Sequence, residues 1–380
     1  MKNIVVVGGG FAGITVANKL VRKLRRKDAK VILIEPNEFN IYEPQYVFWG
    51  FKKYPQSKFT KPMNKVLSGK VTWLRTVATH IDSVKKQISL SNGETLPYDY
   101  LVLATGAKMD EAQVDSYDDD KIHHFYLADA TKKFQDALKN FEGGTIVISP
   151  STVPYKCPPA PAEFTFLLDT YLRKNNLRDK TTIKYLYPLM RPYPEARVSE
   201  KVQKLFDKRG IEFVEFFNYE TVDKENRKVI SLEGEEIEYD LLVLIPPHMG
   251  HEIIIDSDLG DREGFVRTDR FTLKVKDQEN MYAIGDCTDM PISKSGAAAH
   301  FSAPALIKNI LLEMKGKVPT KKYGGFTVCF VVTSFRRSLL LVFSYNYAPR
   351  KFGLHNLFLY GLFKKAFKIV YFKALIKGYL

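Results

Sequence analysis

The chain begins with the pattern that most constrains its fold. Residues 4–7 form an apolar run that predicts a buried parallel strand, and Gly8, Gly10 and Gly13 follow in the spacing Gly-x-Gly-x-x-Gly before a helical pattern over residues 14–20. In such a unit the first glycine permits a tight turn, the second lets a pyrophosphate approach the backbone, and the third lets helix and strand pack closely. The pattern therefore predicts a dinucleotide at the N-terminus of the helix.

A second strand and an acidic residue strengthen this prediction. Residues 31–34 are again apolar, and Glu35 follows them, 22 residues beyond Gly13, where an acid is expected to bind the ribose hydroxyls. A glycine motif alone would also fit a turn without a ligand. Strand, glycines, helix, strand and acid in this order favour the bound dinucleotide.

Composition excludes several classes of protein. A chain of 380 residues is too long for one ordinary core and predicts at least two domains. Its three cysteines lie far apart, which argues against a disulfide scaffold and a zinc site. No apolar run reaches the roughly 18 residues of a membrane-spanning helix. No signal peptide precedes the first strand, so we expect the protein on the cytoplasmic side.

A later signature identifies the dinucleotide as FAD. Residues 98–104 predict a buried strand that ends at Thr105 and Gly106, and residues 280–284 lead into Gly285 and Asp286. The helix predicted to open near Lys294 would direct its positive end at a reduced flavin. The expected flavin contacts are Gly8, Gly10, Phe11, Ala12, Gly13, Glu35, Pro44, Val77, Thr105, Gly106, Gly285, Asp286, Lys294 and Ala297.

The second predicted Rossmann unit lacks a nicotinamide site. After the strand at residues 144–148, the chain is rich in proline and has no glycine over residues 149–161, so no phosphate cradle is expected there. The predicted fold class is α/β, with tandem Rossmann-like domains and a C-terminal amphipathic helical segment that binds a membrane. The expected domains are a flavin domain (1–107 and 270–322), a second Rossmann-like domain (108–269) and a C-terminal region (323–380).

The segment Tyr155-Lys-Cys-Pro-Pro-Ala-Pro-Ala-Glu163 resembles the sulfide:quinone oxidoreductases and the flavin subunit of flavocytochrome c sulfide dehydrogenase, within the flavoprotein disulfide reductase superfamily. The resemblance extends over residues 1–345. It implies that Cys157 and Cys329 flank the flavin and hold a growing sulfur chain, and that Glu163 is an acid/base. Without the resemblance, each cysteine could be a packing residue and Glu163 an ordinary acid at a helix N-terminus.

The chain also departs from the family pattern. Residues 123–129 lack the third cysteine that many sulfide:quinone oxidoreductases carry, and residues 37–50 lack the cysteine that tethers flavin in flavocytochrome c sulfide dehydrogenase. We therefore expect noncovalent FAD. Cys287 is read as a packing residue. Lys294 could pair with flavin or quinone, or be solvated. Three histidines, His124, His248 and His300, are read as structural.

The positive charge is concentrated at the C-terminus. The last 67 residues carry 13 Lys or Arg and no acid, against a net charge of +14 for the chain. Residues 350–380 are rich in Leu, Phe and Tyr, with Lys364, Lys365, Lys368, Lys373 and Lys377 interspersed. They predict two amphipathic segments with a break near Val370 that bind anionic lipid, although a helix pair packed on the body would also fit.

A quinone is the expected electron acceptor because no nicotinamide site is visible and quinones reside in lipid. Tyr345, Tyr347 and Phe352 are candidates for the quinone entrance by position. No nucleic-acid module is visible, and the sequence leaves open whether the chain forms a homo-oligomer. Two alternatives remain: a non-pumping NADH:quinone oxidoreductase, and a flavoprotein subunit of the flavocytochrome c type that docks on a cytochrome.

Overall fold

The computed structural model describes residues 1–25, 27–114, 116–349 and 351–380, with the side chains of Lys351 and Phe352 left out. Within these residues the strands are β1 (Lys2–Val7), β2 (Ala29–Ile34), β3 (Phe39–Ile41), β4 (Thr60–Pro62), β5 (Thr72–Leu74), β6 (Ala78–Asp82), β7 (Gln87–Leu90), β8 (Thr95–Pro97), β9 (Tyr100–Leu103), β10 (Lys108–Met109), β11 (Ile122–His123), β12 (Gly144–Pro150), β13 (Thr181–Leu186), β14 (Ile211–Val214), β15 (Tyr219–Asp223), β16 (Lys228–Ser231), β17 (Glu236–Glu238), β18 (Leu241–Ile245), β19 (His248–Met249), β20 (Met281–Ala283), β21 (Thr327–Val332) and β22 (Ser338–Phe343).

The α-helices of the described residues are α1 (Phe11–Lys23), α2 (Tyr46–Trp49), α3 (Met63–Val66), α4 (Ala128–Lys139), α5 (Ala160–Lys174), α6 (Ala196–Arg209), α7 (Glu252–Asp256), α8 (Gly296–Glu313) and α9 (Phe358–Val370). A π-helical turn, Tyr371–Leu375, continues α9. None of the helices in the described part of the chain combines the length and apolar character needed to cross a bilayer.

Two five-stranded parallel sheets form the centre of the molecule. The first has the order β20-β9-β1-β2-β5, and the second has the order β11-β18-β12-β13-β14. Their central strands are apolar on both faces because both faces are covered. Helices α1 and α8 pack over one face of the first sheet and α5 packs on the second, while the small antiparallel sheets β6–β8 and β15–β17 cover the opposite faces. The predicted α/β class with Rossmann-like sheets is confirmed.

The C-terminal region consists of a hairpin and the α9 segment. β21 and β22 pair antiparallel, and α9 packs on β22. The chain then returns to the first sheet, where the buried amide of Asn18 in α1 donates to the carbonyl of Ile376 at 2.8 Å. The C-terminal residues are therefore attached to the helix that follows the glycine turn.

Several predicted boundaries differ from the structure for physical reasons. In the C-terminal region expected from residue 323, the first strand begins only at Thr327, because Gly325 adopts a φ of +74° and interrupts the extended chain. Within the amphipathic stretch expected over residues 350–380, α9 begins only at Phe358, because Leu357 still pairs with Ser338 in an extended bridge. The end of α9 coincides with the break expected near Val370. Helix α4 was not predicted at all.

Candidate active site

The turn between β1 and α1 has the shape of a phosphate cradle. Gly8 has a φ of +101°, and a Cβ there would lie 2.4 Å from the carbonyl oxygen of Ala104; a Cβ on Gly13 would lie 1.9 Å from the carbonyl oxygen of Gly8. At Gly10, the N-cap of α1, a Cβ would meet no atom within 4 Å, and no side chain of the described residues caps the helix. Open space beside uncapped N–H groups fits a pyrophosphate.

Glu35 lies beside this turn at the end of β2. Its Oε2 accepts a hydrogen bond from the N–H of Gly9 at 2.6 Å, and its Oε1 accepts from the N–H of Asn37 at 2.8 Å and from the amide of Asn37 at 2.6 Å. The carboxylate is thereby held next to the glycines. This placement fits its predicted contact with the ribose of a nucleotide on the turn.

Predicted flavin contacts from distant parts of the sequence meet at the carboxyl edge of the first sheet. Gly285 follows β20 with a φ of +84°, and a Cβ there would lie 3.1 Å from the Cβ of Ala12 in α1 and 3.9 Å from that of Ala299 in α8. Thr105 and Gly106 follow the neighbouring strand, β9. The small residues leave backbone exposed at this edge, as a bound dinucleotide requires.

Lys294 closes the turn that follows β20. Its Nζ donates to the carbonyl oxygens of Asp286 at 3.0 Å and Thr288 at 2.8 Å, and it lies 3.5 Å from the ring centroid of Phe265. The solvated alternative for Lys294 is therefore wrong. Burial raises the pKa of Asp286 to about 6, although Lys156 and Lys294 counteract it.

The remaining predicted flavin contacts occupy different surroundings. Ala297 lies in the first turn of α8, and Phe11 lies in the first turn of α1. Pro44 is exposed in the 3-10 turn Glu43–Gln45, and Val77 is exposed just before β6. Their roles in binding flavin stay predictions.

The C-terminal segment reaches the same turn through an aromatic residue. The ring of Tyr371 stacks on Phe11 with centroids 5.1 Å apart and lies 4.9 Å from the ring of Tyr42. Its hydroxyl donates to Oδ1 of Asn40 at 2.9 Å. Residues more than 300 positions apart in the sequence thus support one loop.

Cys157 lies in the loop between β12 and α5, in a left-handed conformation with a φ of 57° that is unusual for a residue with a side chain. Its N–H donates to the carbonyl of Lys294 at 2.7 Å, and its carbonyl accepts from the N–H of Ala160 at 2.8 Å. The first bond ties this loop to the turn beside Asp286. Such strain is characteristic of functional positions, which argues against a mere packing role.

Cys329 approaches the same region from β21. It pairs with Leu341 of β22, and its half-buried side chain packs against the aromatic core that also contacts Cys157. Both thiols are free. Burial raises the pKa of Cys329, and Lys364 and the hydroxyls of Ser293, Ser295 and Thr327 partly offset this.

A buried ion pair lies next to the cysteines. Glu163, in the first turn of α5, is 2% exposed; its Oε1 accepts from the N–H of Val332 at 2.8 Å and lies 3.8 Å from Nζ of Lys364. Burial raises the pKa of Glu163, while Lys364 and the N–H of Val332 lower it. Lys364 belongs to α9 and is 12% exposed. The expectation that it faces lipid is therefore wrong, because a buried carboxylate holds it inside the protein.

The charges around Cys157 oppose its ionisation overall. Burial raises its pKa, Glu163 adds to the increase, and Lys364 lowers it. The neighbouring Lys156 is engaged elsewhere: its Nζ donates to Oε2 of Glu43 at 2.9 Å and joins the Cys157 loop to the segment before α2. Lys364 is thus the leading cationic influence on the thiol.

Two of the histidines, His248 and His300, contribute little to proton transfer at neutral pH. Burial lowers the pKa of His248 to about 3 and that of His300 to about 4, which supports their structural interpretation. His124 contacts Oε1 of Glu111 at 2.5 Å. A cavity of about 400 Å³ opens beside it, between Tyr46 and the start of α4.

Two family models match this chain. Residues 2–148 match the pyridine nucleotide-disulphide oxidoreductases, and residues 131–246 match the central part of the flavoprotein chain of sulfide dehydrogenase (flavocytochrome c). The chain is 27% identical to the mitochondrial sulfide:quinone oxidoreductase of Dictyostelium discoideum, with 99% of this chain and 86% of the relative aligned. It is 28% identical to the mitochondrial sulfide:quinone oxidoreductase of Mus musculus, with 91% of this chain and 79% of the relative aligned.

The chain is a homologue of the sulfide:quinone oxidoreductases. It is accordingly a flavoprotein. The structure of the sulfide:quinone oxidoreductase from Aquifex aeolicus superposes with a TM-score of 0.87 at 20% identity and covers 100% of this chain and 92% of its own. The NDH2 structure from Plasmodium falciparum has a TM-score of 0.72 at 15% identity, and the superposition covers 100% of this chain and 96% of the NDH2 chain. These structural matches establish the fold.

Sequence reasoning missed three residues that the structure brings to the site. Lys156 belongs to the segment that resembles the family motif, but no local pattern indicates that its partner is Glu43. Lys364 was noticed only as one of several lysines in an amphipathic pattern. Tyr371 lies at the end of α9, and no local pattern shows that it packs on Phe11.

Proposed function

We propose that this protein is an FAD-dependent sulfide:quinone oxidoreductase that oxidises sulfide to sulfur or polysulfide and passes the electrons to a membrane quinone. The observation that carries the proposal is the convergence of Cys157 and Cys329 on one core, beside the buried pair of Glu163 and Lys364. The backbone bond from Cys157 to Lys294 links these thiols to the predicted flavin edge. The names of the relatives in Dictyostelium discoideum and Mus musculus support the same activity.

The cysteines would carry the sulfur chemistry. In the oxidised protein, hydrosulfide attacks a disulfide between Cys157 and Cys329; a new S–S bond forms at one sulfur, the bond between the cysteines breaks, and the other cysteine leaves as a thiolate. Glu163 is placed to accept the proton of the incoming sulfur species, because its raised pKa brings it closer to neutral pH. A bound flavin would supply the two-electron acceptor.

The chain's own residues would hold FAD without a covalent bond. The glycine turn would take the pyrophosphate, Glu35 the ribose, and the Gly285–Asp286 edge the remainder. Cys287 is occupied, since its thiol contacts the carbonyl oxygens of Leu103 and Ile284 at 3.4 Å. Precipitation with acid should release all flavin into the supernatant.

The division into domains at residues 107, 269 and 322 is part of this proposal, supported by the return of β20 to the first sheet.

The outer face of α9 would attach the protein to the bilayer surface. Its exposed side chains are mainly large and apolar, with Phe358 54% and Phe363 52% exposed. Such a face beside exposed lysines suits an interface of acyl chains and anionic headgroups. We propose a peripheral association, on the cytoplasmic face. Tyr345 packs on Tyr323 and Phe271, the side chain of Phe352 lies outside the described residues, and the quinone entrance stays a prediction.

The activity is tested by anaerobic titration with sulfide while the flavin absorbance is followed, and then by sulfide-dependent reduction of a short-chain quinone. Wild type should bleach and should reduce the quinone. Cys157→Ser and Cys329→Ser should each lose at least a hundredfold in turnover, whereas Cys287→Ser, the matched control, should keep it. Full activity in both site variants would refute the proposal.

Bilayer attachment is tested separately by flotation with vesicles that contain anionic lipid. The double variant F358D/F363D should stay in the soluble fraction. Phe216→Asp, which changes an equally exposed phenylalanine (55%) in the bend after β14, should still float. A docking role for α9 would be contradicted if both F358D/F363D and Phe216→Asp lost flotation, or if neither variant did.

The two alternatives are less well supported. A nicotinamide site would need a glycine-rich turn before α5, but Pro159 is the N-cap of that helix and the preceding loop holds the strained Cys157. Rapid bleaching by NADH would revive that alternative. A cytochrome-docking subunit would leave the exposed apolar face of α9 unexplained, and stable binding to an acidic partner without vesicle flotation would favour it.

A further inference from the structure

We propose that Lys364 is a positioning residue of the sulfur site, which keeps Glu163 ionised and favours the thiolate of Cys329. The inference rests on the proposed function and assigns a task to the inner face of a helix whose outer face is proposed to meet lipid.

The packing of α9 brings Lys364 to this place. One helical turn earlier, Gly361 is buried, and a Cβ there would lie 2.3 Å from the carbonyl oxygen of Arg336. Only glycine allows the helix to approach the hairpin of β21 and β22 so closely. The following turn of α9 lies along the same hairpin, and there Lys364 is 12% exposed with its Nζ 3.8 Å from Glu163. The next residue, Lys365, is exposed.

The groups around Lys364 come from several elements. Its ammonium lies 3.8 Å from Glu163 of α5, and Tyr42, Cys157 and Cys329 also act on it electrostatically. A cation buried among two thiols, a phenol and a carboxylate stabilises whichever of them ionises. The other groups that act on the thiols are Asp286, Ser293, Ser295 and Thr327, and Tyr126 and Tyr193 are influenced by the thiols in turn.

The two cysteines respond differently to this cation. At Cys157 the influence of Glu163 exceeds that of Lys364, so the pair as a whole opposes the thiolate. At Cys329 the leading influence after burial is Lys364. Removing the lysine should therefore raise the pKa of Cys329. Cys157 should change less, because an unpaired Glu163 would take up a proton and lose its own negative charge.

The ionisation of each thiol is measured by alkylation of the reduced, flavin-containing protein with iodoacetamide over a range of pH, with each cysteine quantified in its own peptide. Lys364→Met should lower the alkylation rate of Cys329 at pH 8 about tenfold, which corresponds to a pKa change of about one unit. Lys364→Arg keeps the charge and should stay within threefold of wild type. Lys365→Met, the adjacent control, should match wild type.

A double substitution tests the link through Glu163. In the wild-type background, Glu163→Gln should speed alkylation of Cys157, because it removes a neighbouring negative charge. In the Lys364→Met background the same change should have no effect, because Glu163 would already be protonated. Equal effects in both backgrounds would overturn the proposal. So would a wild-type profile of Cys329 in Lys364→Met, or a tenfold loss in Lys364→Arg or Lys365→Met.

Cys287 provides the folding control in the same digest. It is fully buried, so its protection shows that a variant is folded; if Lys364→Met loses that protection, Lys364→Gln takes its place. Alkylation requires neither sulfide nor quinone. A wild-type protein that fails to oxidise sulfide would thus refute the proposed function, whereas an unchanged thiol profile would refute only the role of Lys364.

Discussion

Gly13→Ala provides the sharpest test of how the glycine turn is built. The added methyl would lie 1.9 Å from the carbonyl oxygen of Gly8, whereas real Cβ atoms keep at least about 3 Å from such an atom. The turn must therefore open by about 1 Å, and overpacking of this kind costs about 1–3 kcal/mol. Alanine gains up to about 1 kcal/mol of helix propensity over glycine, so the net loss in unfolding free energy should be about 1–2 kcal/mol.

The loss is measured by urea unfolding of the flavin-free protein, where the midpoint should fall while the slope stays constant. Gly10→Ala is the matched control, since its methyl would meet no protein atom within 4 Å. It should preserve the stability of the flavin-free protein yet weaken FAD retention, because the methyl would fill the space expected for the pyrophosphate. If Gly13→Ala unfolds at the same urea concentration as wild type, the close contact with Gly8 does not constrain the turn and the reasoning fails.

Two further substitutions test the buried polar groups. Burial raises the pKa of Asp286 from its usual 3.8 to about 6, so the folded, flavin-free protein keeps a proton that the unfolded chain loses above about pH 4, and stability falls as the pH rises through this window. Asp286→Asn should remove this pH dependence and raise the unfolding free energy at pH 7 by up to about 3 kcal/mol over wild type, as measured by urea unfolding. Equal dependence of stability on pH in the variant and in wild type would contradict this prediction. Asn18→Ala removes the hydrogen bonds to the carbonyls of Val66 and Ile376 and the acceptor for the N–H of Ser68, so the unfolding free energy should fall by about 2–3 kcal/mol. The C-terminal residues should also be released faster by a protease, and a wild-type cleavage rate would contradict this prediction.

Much of the first sheet could be predicted because its signals are local. The run before Gly8, the spacing to Gly13 and the acid at Glu35 each depend on neighbouring residues and on fixed strand and helix geometry. Helix α4 carries a local signal of the same kind, since Ala130, Phe134 and Leu138 follow helical spacing, although the sequence predictions do not include it.

The arrangement of the site depends on contacts between remote segments, which no local pattern encodes. The pairing of Glu163 with Lys364 joins residues 201 positions apart, and the amphipathic pattern of α9 alone assigned that lysine to the wrong side. The close approach at Gly361 sets how near α9 lies to the hairpin, yet a single glycine within an apolar helix does not reveal what it touches. The cysteines were found because a family motif marked Cys157, not because spacing predicted that they share a core.

The two faces of α9 have a practical consequence for making a soluble form of the protein. Cutting the chain before Phe358 would remove the apolar surface, but it would also take away Lys364 and leave Glu163 buried without its counter-charge. A water-soluble enzyme should instead come from polar substitutions at Phe358, Leu362 and Phe363, with Gly361 and Lys364 unchanged. Neighbouring positions of α9 therefore tolerate different substitutions. Gly361 and Lys364 contact the protein interior, whereas Leu362 and Phe363 are exposed.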